Sequence, residues 1–257
     1  MIDPRAVIGE GAEIADDVTI GAYAVISSKA KIGSGTIIGP HTVIDGKTTI
    51  GKNNKIFQFA AVGAEPIDRT FAGEESAVVI GDNNVIREYS TIHGGTAKEQ
   101  GVTRIGSNNF IMNYVHIGHD CVIGDHCHLV NYAGIAGHVH IDDYAYIGVY
   151  CGIHQFAHIG AHAFIIPTTM IGKDVPPYIM VTGGIKATPC GVNVEGLKRR
   201  GFTTKQISNI RVAYKVLYRR GLRLEEAVEE IKNMPQETDE LKVFIDLLED
   251  NHRGIVR

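Results

Sequence analysis

One aliphatic position recurs every six residues along most of the chain. Read from Met1 in sixes, the second residue of each hexad is Ile2, Ile8, Ile14, Ile20, Ile26, Ile32, Ile38, Ile44, Ile50, Ile56 and Val62. Residues 67–78 break the frame, which resumes with Ile80, Ile86 and Ile92. Residues 97–103 break it again, after which it runs from Ile105 to Ile171 with Leu129 as its one departure from isoleucine. An α-helix turns every 3.6 residues, so a period of six does not return to one helical face. It suits a short strand plus a corner, and three such sides make one turn of a parallel β-helix. The aliphatic residue is expected to point inward and to stack on its copy one coil away, each burial contributing roughly 1.5–3 kcal/mol.

The sixth hexad position is often small, and Cys121, Cys127 and Cys151 all fall on it. They are expected to be reduced core fillers, since no CxxC or zinc-ribbon spacing is present. Pro176-Pro177 stops the repeat. The division expected is a β-helix over 1–175, with ejected loops at 67–78 and 97–103, and a C-terminal α-helical domain over 176–257. Within the latter, Thr203-x-x-Gln206 has the form of a capping box opening a helix to about Arg220, with Gly221 ending it. Further helices are expected over Leu224–Met234 and Thr238–Asp250. No apolar run approaches the length of a membrane span. The N-terminal residues lack the basic and apolar regions of a secretory signal, so a cytoplasmic setting is expected.

Residues 18 apart in unbroken frame lie one coil apart, about 4.8 Å. With the insertion removed, this mapping lines His93, His119, His138 and His154 along one edge of the prism. His116 stands on the approach and Asp120 beside His119. Such a column suits general-base acyl transfer, a metal site, or recognition of a phosphate or sugar. The remaining histidines, His41, His126, His128, His140, His158, His162 and His252, are expected on the surface. Net charge is −4, which argues against nucleic acid as a partner. Yet the stretch from Lys198 to Arg223 carries nine Lys or Arg and no Asp or Glu, a polarised surface suited to an acidic partner or a phosphate.

Several blocks together are highly specific: Thr91-Ile92-His93-Gly94-Gly95-Thr96, His116-Ile117-Gly118-His119-Asp120-Cys121, Ala136-Gly137-His138-Val139, His154-Gln155-Phe156, Asp174-Val175-Pro176-Pro177-Tyr178, and the run from Gly191 through Asn193-Val194-Glu195-Gly196-Leu197-Lys198-Arg199-Arg200 to Phe202. With these the chain resembles, over nearly its whole length, the UDP-N-acetylglucosamine O-acyltransferases of lipid A biosynthesis. The resemblance implies an all-β left-handed parallel β-helix with a helical C-terminal domain, assembled as a homotrimer with sites between subunits. It implies transfer of a 3-hydroxyacyl chain from acyl carrier protein to the 3-position of UDP-N-acetylglucosamine, with no cofactor and no metal.

By the same resemblance His119 is the general base, Asp120 orients it, and the Gly137 N–H receives the oxyanion. Asp68, His93, His116, His138, His154 and Gln155 would line the sugar, phosphate and acyl sites, while Asn193, Glu195, Arg199 and Arg200 would hold the UDP part. Acyl carrier protein would dock on the basic stretch 198–223. Ile166, Pro167 and Met170 stand where some relatives have glycine, which would shorten the acyl pocket. The first ejected loop departs from the family's Pro-Gln-Asp-Leu-Lys-Tyr. Here Glu65-Pro66-Ile67-Asp68-Arg69-Thr70-Phe71 keeps the Asp and loses the Gln and Lys, with Arg69 as a partial substitute. Other readings are a preference for the 3-amino sugar, giving an amide, another hexapeptide-repeat acyltransferase, a γ-type carbonic anhydrase holding zinc on His116, His119 and His138, and a non-catalytic β-helix scaffold.

Overall fold

The computed structural model describes residues 1–235, 239–251 and 253–257. Most strands are two residues long, and the second residue is the aliphatic one of the hexad. They stack into three sheets of nine, eight and ten strands, parallel except for the last strand of the third, and these are the three faces of a left-handed β-helix. Val7–Ile8 begins the first face, Glu13–Ile14 the second and Thr19–Ile20 the third. Each aliphatic residue registers with the one eighteen further on, as Ile26 does with Ile44 and Ile117 with Ile135. Across the insertions the same partners meet at longer separation, Val62 with Ile92 and Ile92 with Ile117, and the coil resumes after a register shift between Val62 and Ala64.

The ejected segments lie between Ala61–Ala64 and Ala77–Ile80, and between Thr91–His93 and Val102–Ile105. They therefore occupy 65–76 and 94–101, a little earlier than the frame suggested. The reason is pairing: Val78 sits between Thr48 and Thr103 in a continuous ladder, and both Val78 and Thr103 are buried. From Ile20 to Ile171 the column is buried throughout. It fades in the first coil, where Ile2 is 46% exposed and Ile8 and Ile14 are half-buried, because they have a coil on one side only.

Corners decide what stands outside. Among the described residues eighteen non-glycine residues have φ between 55° and 68°, nearly all at the fifth hexad position. Left-handed backbone costs an L-residue roughly 1–2 kcal/mol and is tolerated best by Asn, Asp and His. Here Tyr and Phe occupy it as well, and their rings stack coil upon coil. Tyr23, His41, Phe59, Tyr89, Tyr114, Tyr132 and Tyr150 form one ladder with centroids 4.8–5.2 Å apart. Each stacked pair offsets part of the strain by about 0.5–1.5 kcal/mol. Inside another corner, the Asn54 Oδ1 accepts from the Asn84 backbone N–H, the Asn84 Oδ1 from Asn109, and the Asn109 Oδ1 from Cys127. Buried polar groups are thereby satisfied along the axis. Cys121, Cys127 and Cys151 are buried fillers with free thiols, and burial pushes the first two up to about 12.

Strand pairing continues past residue 175. Ile179–Thr182 adds to the third face beside Phe164–Ile165 and forms an antiparallel hairpin with Thr188–Val192. Neither this hairpin nor the short helix α1 (Val194–Arg199) was legible, since Pro189 and Gly191 speak against a strand and six residues carry no period. Helix α2 (Thr204–Arg219) opens on the capping box of Thr203 and Gln206, and Gly221 follows it at φ +70. Its buried Ile207, Ile210, Ala213, Tyr214 and Leu217 pack on α3 (Leu224–Lys232) and α4 (Glu240–Glu249). Helix α3 ends earlier than Met234, and Thr238, the expected start of the last helix, lies outside the described residues. The chain end is tied to the prism through Asp174, whose N–H donates to Gly254 O and whose carbonyl accepts from Val256. No helix among the described residues is long and apolar enough to cross a membrane. Position along the column sets what a truncation costs. Ile117→Ala, fully buried, is expected to lose about 2–5 kcal/mol in urea unfolding, whereas Ile2→Ala is expected to lose well under half as much.

Candidate active site

The coil register places three neighbouring columns on the edge between the first and second faces. One holds His93, Gly118, Ala136 and His154, the next His119, Gly137 and Gln155, and the third Asp120, His138 and Phe156. The His138 N–H donates to His119 O at 2.9 Å, fixing the step between coils. Asp120 and His138 both sit at left-handed corners, with φ 59 and 63.

His119 is held by its neighbour. Its Nδ1 lies 2.9 Å from Asp120 Oδ2, and both residues are buried. The carboxylate is held in turn by the second ejected loop: the Thr96 N–H donates to Oδ1 at 2.8 Å and the Thr96 hydroxyl to Oδ2 at 2.7 Å. An ionised carboxylate only accepts, so the His119 proton resides on Nδ1 and Nε2 keeps its lone pair. Nε2 has no protein partner among the described residues. The imidazole rests against Gly137: a Cβ there would lie 2.5 Å from both Cε1 and Nε2 of His119. Any larger residue would displace the ring. The Gly137 N–H donates to no protein acceptor among the described residues, and Gly118, also without a Cβ, leaves space over it.

An open cleft of about 620 Å³ faces this pair and is lined by Asp68 and Arg69 of the first loop, Lys98 and Glu99 of the second, and His138, Gln155 and Phe156. His138 stacks on Phe156 at 4.4 Å and stands edge-on to His119 at 4.8 Å. The structure therefore brings His119, Asp120, His138, Gln155 and Asp68 together. His93, His116 and His154 fall outside the cleft wall. His93 Nδ1–H donates to the Glu65 carbonyl, and His154 Nδ1–H to that of Gln155. His116 pairs with the Thr91 hydroxyl, and burial, with His93 and His119 nearby, holds its pKa below the usual range. Among the described residues the groups close enough to share a cation are His119, Asp120 and His138, not the trio with His116 that the zinc reading needs. The Nδ1 atoms of both histidines and both Asp120 oxygens are already engaged by hydrogen bonds within the protein.

A second cavity, about 660 Å³, opens on the third face and its corner with the second. His128, Tyr144, Tyr146, His162 and Phe164 form one wall, and Asn193, Glu195, Arg199 and Arg200 the other. The Arg200 guanidinium lies over the Tyr144 ring at 4.6 Å. Asn193 is occupied within the fold: its Oδ1 caps α1 at Gly196 and its Nδ2 donates to His162 O. Glu195 pairs with Lys198. His128 and His162, expected as surface residues, are half-buried cavity walls, and His252 lies outside the described residues. Sequence reasoning also missed Thr96, Lys98 and Glu99, which reach the site by loop folding that no hexad period encodes. Tyr144 and His162 had a signal, their fifth hexad position, which lines up one corner. Beyond the cavity, Arg211, Lys215 and Arg219 of α2 follow one another at four-residue steps and border a shallow hollow with Tyr214.

The repeat and a buried His–Asp pair facing a cleft define a hexapeptide-repeat transferase. Residues 103–137 match the bacterial transferase hexapeptide family, and residues 174–256 match domain 2 of UDP N-acetylglucosamine O-acyltransferase. The acyl-[acyl-carrier-protein]–UDP-N-acetylglucosamine O-acyltransferase of Ectopseudomonas mendocina is 48% identical over all of this chain and 99% of its own, and that of Thiobacillus denitrificans 46% over the same shares. Among solved structures, the Francisella novicida UDP-N-acetylglucosamine acyltransferase superposes with TM-score 0.97 at 54% identity, over 100% of this chain and 94% of that one. The Acinetobacter baumannii protein gives 0.97 at 43%, over 100% and 99%. The chain belongs to the UDP-N-acetylglucosamine O-acyltransferase family.

His162 supplies a pH prediction. Burial, with Arg200 nearby, lowers its pKa to about 4. The unfolded chain then takes up this proton near the ordinary value of 6.5, before the folded one does, so stability is whole above about 6.5 and falls as pH drops toward 4. His162→Phe, which keeps the ring stack, is expected to flatten that slope by on the order of 1–2 kcal/mol, discounted because solvent still reaches the ring. Chemical unfolding at pH 7 and pH 4.5 reads it.

Proposed function

We propose that this chain transfers a 3-hydroxyacyl group from acyl carrier protein to the 3-hydroxyl of UDP-N-acetylglucosamine, the first step of lipid A biosynthesis. The observation that carries the reading is the Asp120-held His119, whose Nε2 and the neighbouring Gly137 N–H have no protein partner among the described residues. His119 Nε2 takes the proton as the sugar oxygen attacks the thioester carbonyl. The Gly137 N–H meets the developing oxyanion. Collapse breaks the carbon–sulfur bond, and the His119 imidazolium returns its proton to the leaving thiolate. A thioester is already activated, so no covalent enzyme intermediate, metal or cofactor is required. Asp68, His138 and Gln155 would hold the sugar at the cleft, with His93, His116 and His154 at its margins. Arg199 and Arg200 would take the diphosphate or uridine, aided by Asn193 and Glu195. The two cavities lie at different corners of the prism and share no lining residue. A ligand spanning both kinds of wall needs two chains, which supports a homotrimer with shared sites. The Arg211–Lys215–Arg219 row supports docking of an acidic carrier within 198–223.

The acyl chain would lie along the first face. There His116, Gly134, Gly152 and Met170 follow one another coil by coil. The glycines leave a floor without side chains, and the Met170 sulfur covers the Gly152 end, 2.6 Å from where a Cβ would stand. Ile166 and Pro167 stand off this line at the adjoining corner, Pro167 over Gly148. Met170 is thus the residue best placed to limit chain length.

The test is a transfer assay on metal-free protein with 3-hydroxyacyl carrier proteins of several lengths, products read by mass, and the 3-amino sugar as a parallel acceptor. His119→Ala is expected to stay folded and lose on the order of 10²–10⁴ in rate; wild-type activity in that variant overturns the mechanism. Met170→Gly is expected to move the preferred acyl group to a longer chain, and an unchanged length profile overturns the groove assignment.

A further inference from the structure

The second ejected loop does more than clamp Asp120. From Thr96 it passes over the cleft, and the Glu99 Oε1 comes to 2.8 Å from His138 Nδ1. A residue earlier, the Lys98 ammonium donates to Asp68 Oδ2 at 2.6 Å, tying the second loop to the first. Asp68 also accepts from the Thr70 N–H and hydroxyl, and with Lys98 these hold its carboxyl far below the usual range. The loop is therefore pinned at three successive points: Thr96 to Asp120, Lys98 to Asp68, and Glu99 to His138.

The second point joins the two loops by charge. The first loop, 65–76, contains no lysine, and the Lys98 ammonium reaches its Asp68 from the second. The third point bears on chemistry. His138 is buried, whereas Glu99 is an exposed loop residue whose carboxylate turns inward to it. Among the described residues the other carboxylate oxygen near His138 Nδ1 is Asp120 Oδ2 at 3.8 Å, the same oxygen that holds His119. Without Glu99 the two imidazoles would compete for one carboxylate.

We infer that Glu99 is a positioning residue: by accepting the His138 Nδ1–H it keeps that ring off Asp120 and fixes His138 Nε2 as a proton-free acceptor on the cleft wall. His138 Nε2 has no protein partner among the described residues. An acceptor nitrogen there selects a ligand group that donates, a hydroxyl or an amide N–H of the bound sugar. The site thus holds two carboxylate-anchored imidazoles at right angles, one to take a proton and one to receive a hydrogen bond. This rests on the acyl-transfer reading above, and the experiment separates the two.

The experiment compares Glu99→Ala and Glu99→Gln in two measurements. The first is independent of activity: ¹⁵N spectra of histidine-labelled protein at alkaline pH, with His138 assigned from the signals missing in His138→Asn. The wild type is expected to show His138 protonated on Nδ1, Glu99→Ala to move population to the Nε2-protonated form, and Glu99→Gln, whose amide oxygen still accepts, to retain the wild-type tautomer. An unchanged tautomer in Glu99→Ala overturns the proposal. The second is steady-state transfer. Glu99→Ala is expected to lose on the order of 10- to 100-fold in kcat/KM, the worth of one charge-assisted hydrogen bond, with Glu99→Gln recovering most of it. In a His138→Ala background, Glu99→Ala is expected to cost nothing further. A loss that persists in that background means Glu99 acts on loop structure alone and overturns the positioning role. If wild-type protein transfers no acyl group, the functional reading fails, and the tautomer measurement still decides for or against Glu99.

Discussion

Backbone hydrogen bonds between successive coils fix the distance from each hexad to its copy, and every arrangement in the site follows from that pitch. Gly118 donates to Ile135, and His138 to His119, at ordinary lengths. His119 and Gly137 are consequently stacked neighbours with no freedom along the axis. The ring lies on a glycine because the next coil is too near for anything else. The buried aliphatic column supplies the energy that holds this spacing, and the asparagine and aromatic ladders repeat it at the corners.

The corners also explain why this site uses the residue types it does. A left-handed backbone position is most easily filled by Asn, Asp or His. Asp120 and His138 occupy two such positions in adjacent coils. The residues that the turn tolerates are the ones the proposed chemistry needs, so the geometry of folding and that of the proposed proton transfer coincide. Strain at functional residues is common; here the same strain recurs at corners with no part in the site, such as Tyr132 and Tyr150, and belongs to the architecture.

Much of this was legible in the amino-acid sequence because the repeat acts as a coordinate system. Counting by eighteen placed His119 over Gly137 and His138 beside them, and the capping box located α2 to within a residue. What escaped were contacts made where the count stops. Thr96, Lys98 and Glu99 lie in an insertion, and nothing periodic says that Thr96 folds onto Asp120 or Glu99 onto His138. The commitment of Asn193 to capping α1 escaped for a similar reason, since α1 is too short to show a period. The blocks that carried the family resemblance pointed to the chemistry, and the contacts made by Thr96, Lys98 and Glu99 lie in an inserted segment that the repeat does not index.

A rigid pitch has a consequence for how such a protein can change. The line from His116 over Gly134 and Gly152 to Met170 runs along the axis, so any chain laid on it is measured in whole coils. Replacing a blocking side chain opens it by about 4.8 Å at once, the span of a few methylene groups. No small shift of backbone lies between those states. On the proposed acyl-transfer reading, selectivity along this face would be digital: variants would step from one admitted chain length to another by exchanging a single residue, while the backbone beside it stays where it is.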